Sequence, residues 1–124
     1  MGKKERLKSR KKIEMLFESG QRFTIAPFLV YYRLHKEVKL PTLQVGVSAS
    51  KKNFKRAVDR NRVKRIIREA YRLQNQALKE NIKSHSNSLD LFIIYTGKNI
   101  PEYNEVSEKL KPVLKKLEEL YAKG

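Results

Sequence analysis

Residues 43–72 read LQVGVSASKKNFKRAVDRNRVKRIIREAYR, and two periods meet inside that stretch. Residues 43–50 alternate. Leu43, Val45, Val47 and Ala49 share one face, while Gln44, Gly46, Ser48 and Ser50 share the other, as the two-residue period of a strand requires. The second face is small and polar, so it is no packed core face; it is either solvated or open to a ligand. From residue 56 the period becomes that of a helix, and the pattern predicts one long helix over 56–80. On a wheel of about 100° per residue, Val63, Ile66, Ile67, Ala70, Tyr71, Ala77 and Leu78 form an apolar stripe about 140° wide. Asn61, Lys64, Arg65, Arg68 and Arg72 form one basic face, with Arg62 and Glu69 beside it. Arg60 falls on the apolar side at the first turn, so it is expected to point toward the sheet edge. Lys51, Lys52, Lys55, Arg56 and Arg60 surround the start of the helix, where free backbone N–H groups favour a phosphate.

Working outward, residues 9–19 predict a short helix, with Ser9 as N-cap, Gly20 at its end, and Ile13, Leu16 and Phe17 on one apolar stripe. Residues 28–35, FLVYYRLH, predict a strand that sets Phe28, Val30 and Tyr32 against Leu29, Tyr31 and Arg33. Residues 23–27 lead into it as a short edge piece. SHSNS at 84–88 is a loop, and LFIIY at 91–95 is a continuous apolar run expected of a strand buried on both faces. Val106, Leu110, Val113, Leu114, Leu117 and Tyr121 define a terminal helix, with a kink or late start expected at Pro112. The order is helix, strand, strand, helix, strand, helix, a small α+β or split β-α-β domain. The 124 residues make one domain, with a basic tail at 1–8.

Lys and Arg number 29 against 13 Asp and Glu, for a formal net charge of +16. Residues 1–12 hold seven basic side chains and one acidic; residues 51–72 hold ten and two. Charge needed only to keep a surface wet would be spread evenly and would mix Glu with Lys along helix faces. Two concentrated blocks, rich in the planar guanidinium that grips phosphates, point to a polyanion. A helix that follows a strand is not the helix-turn-helix arrangement of many DNA readers. The stripe of Val63, Ile67 and Ala70 is ordinary core packing, not the bulky aromatic face of a membrane-surface helix. RNA or DNA is the expected partner, with no membrane and a cytoplasmic address. No apolar run approaches the roughly 18–20 residues of a membrane span, and the charged N-terminus lacks the apolar stretch of a secretory signal.

Catalytic residues are not evident. Cysteine is absent, which removes disulfides, thiolate zinc sites and thiol nucleophiles. His35 and His85 are expected at the surface, with no partner suggested by spacing. The carboxylates are scattered, whereas a two-metal nuclease needs them clustered around ions about 4 Å apart. No glycine-rich phosphate loop occurs among the five glycines.

The segment from Gly46 to Arg72 closely resembles the signature of the bacterial ribonuclease P protein subunit: Ser48, Ser50, Lys51 and Lys52 at the end of a strand, then Ala57, Val58, Arg60, Asn61, Arg62, Lys64, Arg65 and Arg68. The similarity extends to the short helix with Phe17 and Gly20, the FLVYYR strand, the DLFIIY strand and the terminal helix. The resemblance implies an α/β sandwich like domain 2 of ribosomal protein S5, with a left-handed β-α-β crossover against the usual hand. It implies that Arg60, Asn61, Arg62, Lys64, Arg65 and Arg68 contact a large catalytic RNA. Phe17, Tyr31, Lys51 and Lys52 would bind the single-stranded 5′ leader of precursor tRNA. Hydrolysis, with its Mg2+ ions, would be carried by the RNA, and the protein would be a monomer in the holoenzyme. The chain departs from the family pattern at Ile13, where many members have an aromatic, in the longer 53–56 loop, and at Thr96–Gly97, where a basic residue often follows the strand. The alternative is a small basic ribosomal or other structural RNA-binding protein.

Overall fold

The computed structural model describes residues 6, 7 and 9–123, the last three by backbone alone. Elements follow the order α1 (Arg10–Ser19), β1 (Gln21–Ile25), β2 (Phe28–His35), β3 (Leu43–Ala49), α2 (Ala57–Gln74), α3 (Gln76–Ser84), β4 (Ser88–Tyr95) and α4 (Tyr103–Lys123). The strands form one sheet in the order β1-β2-β4-β3. β1, β2 and β4 are antiparallel neighbours, while β3 runs parallel to β4. A parallel pair cannot be closed by a tight turn. Here α2 and α3 make the crossover.

The alternation in the strands decides which face is filled. Phe28, Val30, Leu43, Val45, Val47, Ala49, Leu89, Leu91, Ile93 and Tyr95 point to one side and are buried. On that side α2 contributes Val63, Ile67, Ala70 and Tyr71, and α4 contributes Val106, Leu110, Val113, Leu114 and Leu117. Each large apolar side chain so buried stabilises the fold by roughly 1.5–3 kcal/mol relative to exposure. α1 lies on the opposite face, against β2 and β4. Ser9 caps it by accepting a hydrogen bond from the Lys12 N–H at 3.3 Å, and Gly20 N–H bonds back to Leu16 O at 3.0 Å.

Several expectations are corrected. The helix predicted over 56–80 is two helices. The chain leaves helical geometry at Asn75 (φ −85°, ψ 0°), a residue type that competes poorly for helix interiors. α3 then packs against α4 and β4 with Leu78 and Ile82 buried. Asn75 is itself buried, and the adjacent Gln74 amide donates to Ser107 O and Oγ at 2.9 and 2.8 Å. The edge piece at 23–27 is a full strand that starts earlier, at Gln21. α4 starts well before Pro112 and runs through it; the exposed proline ring sits on the solvent side. The Tyr121 side chain lies outside the described residues.

Residues 6 and 7 of the basic tail are docked. Arg6 bridges Val45 in parallel, Leu7 N–H donates to Val45 O at 2.9 Å, and the Leu7 side chain is buried. The arm thereby covers the outer edge of β3 and satisfies a backbone carbonyl that an edge strand leaves bare. Residues 1–5 and 8 lie outside the described residues.

Candidate nucleic-acid interface

The open sheet face is built by register. Tyr31 pairs with Phe92, and Phe92 with Gly46; one step along, Leu29 pairs with Ile94, and Ile94 with Ser48. None of these side chains can reach the core, because their neighbours in each strand already fill it. α1 brings Phe17 onto this face. Its ring meets Tyr31 edge-on at 4.8 Å between centroids and Phe92 at 5.4 Å, near perpendicular in both cases. Phe17 remains 46% exposed. So α1 buries Leu16 and leaves its next residue in an aromatic cluster open to solvent. Three rings presenting edges and faces to water can stack unpaired bases.

The cluster corrects the reading of 91–95 as buried on both faces. Phe92 and Ile94 are only half-buried. Phe92 lies over Gly46 so closely that a Cβ there would sit 2.6 Å from its Cδ2. A glycine inside a strand marks such close approach, and that signal at position 46 pointed to a neighbour that the pattern alone does not name.

Lys51 and Lys52 are exposed in the turn after β3. β3 carries the chain from Gly46 to Ala49, roughly 10 Å of strand, before it turns to reach them. Between the two, the face carries Ile94 and Ser48. Phe54 anchors the turn in the core, and Asn53 Nδ2 ties it to the loop after β4 by donating to Thr96 O and Gly97 O at 3.1 and 3.2 Å.

The second surface is the exposed side of α2. Asn61, Arg62 and Arg65 are exposed; Lys64 and Arg68 are half-buried. Among the described residues none of these forms an ion pair. Arg72 does: its guanidinium holds the Glu69 carboxylate, which lowers the Glu69 pKa and raises that of Arg72 through the shared hydrogen bonds. Arg72 is therefore partly neutralised, unlike the cations N-terminal to it. Arg60 turns away from bulk solvent as expected, but toward the loop before α2, where it has a structural task. Its Nη1 donates to Phe54 O at 2.7 Å and Lys55 O at 3.0 Å, bracing the loop that leads into α2.

Arg6, Asn61, Arg65, Arg68, Glu69 and Arg72 line a groove of about 460 Å³ along α2. A smaller groove of about 220 Å³, walled by Arg6, Arg68, Gly46 and Phe92 among others, joins it to the open sheet face. The Arg68 guanidinium titrates below the usual arginine range, first because it is partly buried and second because Arg6 is beside it.

Elsewhere on the open face Asp90 is buried and bonds His35 Nε2 at 3.2 Å, so His35 has a partner that spacing along the chain did not suggest. Antiparallel pairing of β2 with β4 brings them together from 55 positions apart. Among the described residues no three His, Asp or Glu side chains gather closely enough to hold a metal ion, and no helix is long and apolar enough to cross a membrane.

A basic helix face beside an aromatic sheet face, on an α+β frame with a parallel crossover, defines a small protein built to hold nucleic acid. The Ribonuclease P family matches residues 1–118. The chain is 34% identical to the ribonuclease P protein component of Porphyromonas gingivalis over 114 residues, covering 92% of this chain and 83% of that one. It is 35% identical to that of Dictyoglomus turgidum, covering 92% and 89%. Its structure resembles the RNase P proteins of Staphylococcus aureus (TM-score 0.66, 26% identity, covering 90% of this chain and 93% of that one) and Thermotoga maritima (TM-score 0.68, 26% identity, covering 90% and 96%). The chain belongs to the ribonuclease P protein family. It serves as the protein subunit of the endoribonuclease of tRNA processing, and its partner is RNA.

Proposed function

We propose that the two surfaces divide the labour of the holoenzyme. The exposed face of α2, through Asn61, Arg62, Lys64, Arg65 and Arg68, binds the catalytic RNA, with Arg60 shaping the loop that precedes it. The open sheet face binds the 5′ leader of precursor tRNA. Phe17 and Tyr31 stack its bases, Phe92 joins them, and Lys51 and Lys52 meet its phosphates farther along. The observation that carries this reading is the aromatic cluster of Phe17, Tyr31 and Phe92. Three partly exposed rings contribute nothing to the core on the other side of the sheet, yet they are held in mutual contact.

The separation of the cluster from Lys51 and Lys52 suits a single strand several nucleotides long. Stacking tolerates any base, and lysines read only the backbone, so the leader is held by its single-strandedness. Hydrolysis and its Mg2+ ions are assigned to the RNA, as the family resemblance implies. The protein works as a monomer in the holoenzyme, in the cytoplasm. The test compares precursor with mature tRNA. Loss of an aromatic from the cluster should weaken holoenzyme binding of the first and leave the second, which has no leader, unchanged.

A further inference from the structure

Arg6 and Arg68 are the two residues that line both grooves, the one along α2 and the one opening onto the sheet face. They come from opposite directions. Arg68 projects from the basic face of α2, while Arg6 comes from the N-terminal arm. The arm fixes its position, since the backbone bridges Val45 on one side and the buried Leu7 side chain pins it on the other. Two guanidinium groups thus line the same grooves, close enough that each feels the other's charge. Among the described residues neither forms an ion pair, and the acid in the same groove, Glu69, is already taken by Arg72. Their mutual repulsion contributes to the lowered Arg68 pKa. An anion between two like charges held this close would relieve their repulsion. The planar forks of two arginines match a phosphodiester.

We propose that Arg6 and Arg68 together grip one RNA backbone phosphate where the α2 groove meets the sheet cleft, making the N-terminal arm part of the RNA-binding surface. This rests on the reading of α2 and the sheet face as RNA-binding. It adds a residue from outside the signature segment and a site at the junction of the two surfaces. The phosphate belongs either to the catalytic RNA or to the precursor leader; the chemistry is the same, and the two binding steps separate them.

Arg6→Gln, Arg68→Gln and the double variant are reconstituted with a bacterial ribonuclease P RNA. Affinity of protein for RNA is measured across a salt series, and affinity of the holoenzyme for precursor and mature tRNA is measured alongside. Arg6→Gln should unfold at the wild-type midpoint and weaken one binding step about tenfold, lowering the salt slope of that step by about one. A loss in the protein–RNA step assigns the phosphate to the catalytic RNA. A loss for precursor but not mature tRNA assigns it to the leader. Because both arginines hold one phosphate, the double variant should lose less than the product of the single effects. Failure of the wild-type protein to bind the RNA would overturn the functional reading itself. With wild type binding normally, an Arg6→Gln protein that matches it in both steps, or fully multiplicative effects in the double variant, would overturn the shared phosphate.

Discussion

Gly46 and Phe92 sit opposite each other in the parallel pair of β3 and β4, and the Phe92 ring lies across the space where any other residue would carry its Cβ. The nearest ring carbon would be 2.6 Å from that Cβ, well inside contact distance, and the Leu7 carbonyl oxygen 3.4 Å away on another side. Gly46→Ala therefore pushes the ring away from β3 and out of its edge-on contact with Phe17. Overpacking of this kind costs about 1–3 kcal/mol. We predict a lowered unfolding midpoint together with weaker binding of precursor tRNA by the holoenzyme. Binding of mature tRNA unchanged from wild type would distinguish a disturbed leader surface from general damage.

Tyr31 supplies one ring of the same cluster, in contact with Phe17, on the strand face turned away from Phe28 and Val30. A stacked base is worth roughly 1–3 kcal/mol, so Tyr31→Ala should weaken precursor tRNA binding by about tenfold. Equal weakening for precursor and mature tRNA would show Tyr31 to be structural only.

Arg60 and Arg65 belong to the same signature but stand in different surroundings. Arg60 donates to two backbone carbonyls before α2, while Arg65 is exposed and has no ion pair among the described residues. Hydrogen bonds from a charged donor contribute about 1.5–3 kcal/mol where the acceptors lose water. Arg60→Ala should therefore destabilise the free protein by about 1–3 kcal/mol, whereas Arg65→Ala should leave its denaturation curve in place. Identical curves for the two variants would contradict this division.

The strand–helix join is legible in the sequence because both periods are strong there. The β3 alternation and the Val63–Ile67–Ala70–Tyr71 stripe appear where the pattern puts them, and Arg60 turns away from solvent, though toward the 54–55 loop. The break at Asn75 is not legible, since the apolar stripe continues through Leu78 and a wheel cannot register one residue leaving helical ψ. Phe92 escapes the pattern for a related reason. A run of five apolar residues carries no alternation, so only the register with Tyr31 and Gly46 reveals which of them face the open side. Arg6 looks like one more charge in a basic tail, because its place depends on Leu7 finding the edge of β3 at Val45, far along the chain.

The cations of α2 lead to a prediction about salt. Arg65 and Arg68 lie on the side away from the core, so Arg65→Ala with Arg68→Ala should reduce affinity for the catalytic RNA by about 1.5–3 kcal/mol for each arginine. The salt slope should fall by about one for each arginine that no longer neutralises a phosphate. Unchanged affinity at every salt concentration would remove α2 from the interface.

The most direct test measures release of the 5′ leader from precursor tRNA at low magnesium. The reactions contain a bacterial ribonuclease P RNA alone, this protein alone after nuclease treatment to remove co-purified RNA, and the two together. We predict little cleavage by the RNA alone under those conditions, none by the protein alone, and rapid cleavage at the mature 5′ end by the pair. Cleavage by the nuclease-treated protein without the RNA, or a rate with both components no higher than with the RNA alone, would contradict this prediction.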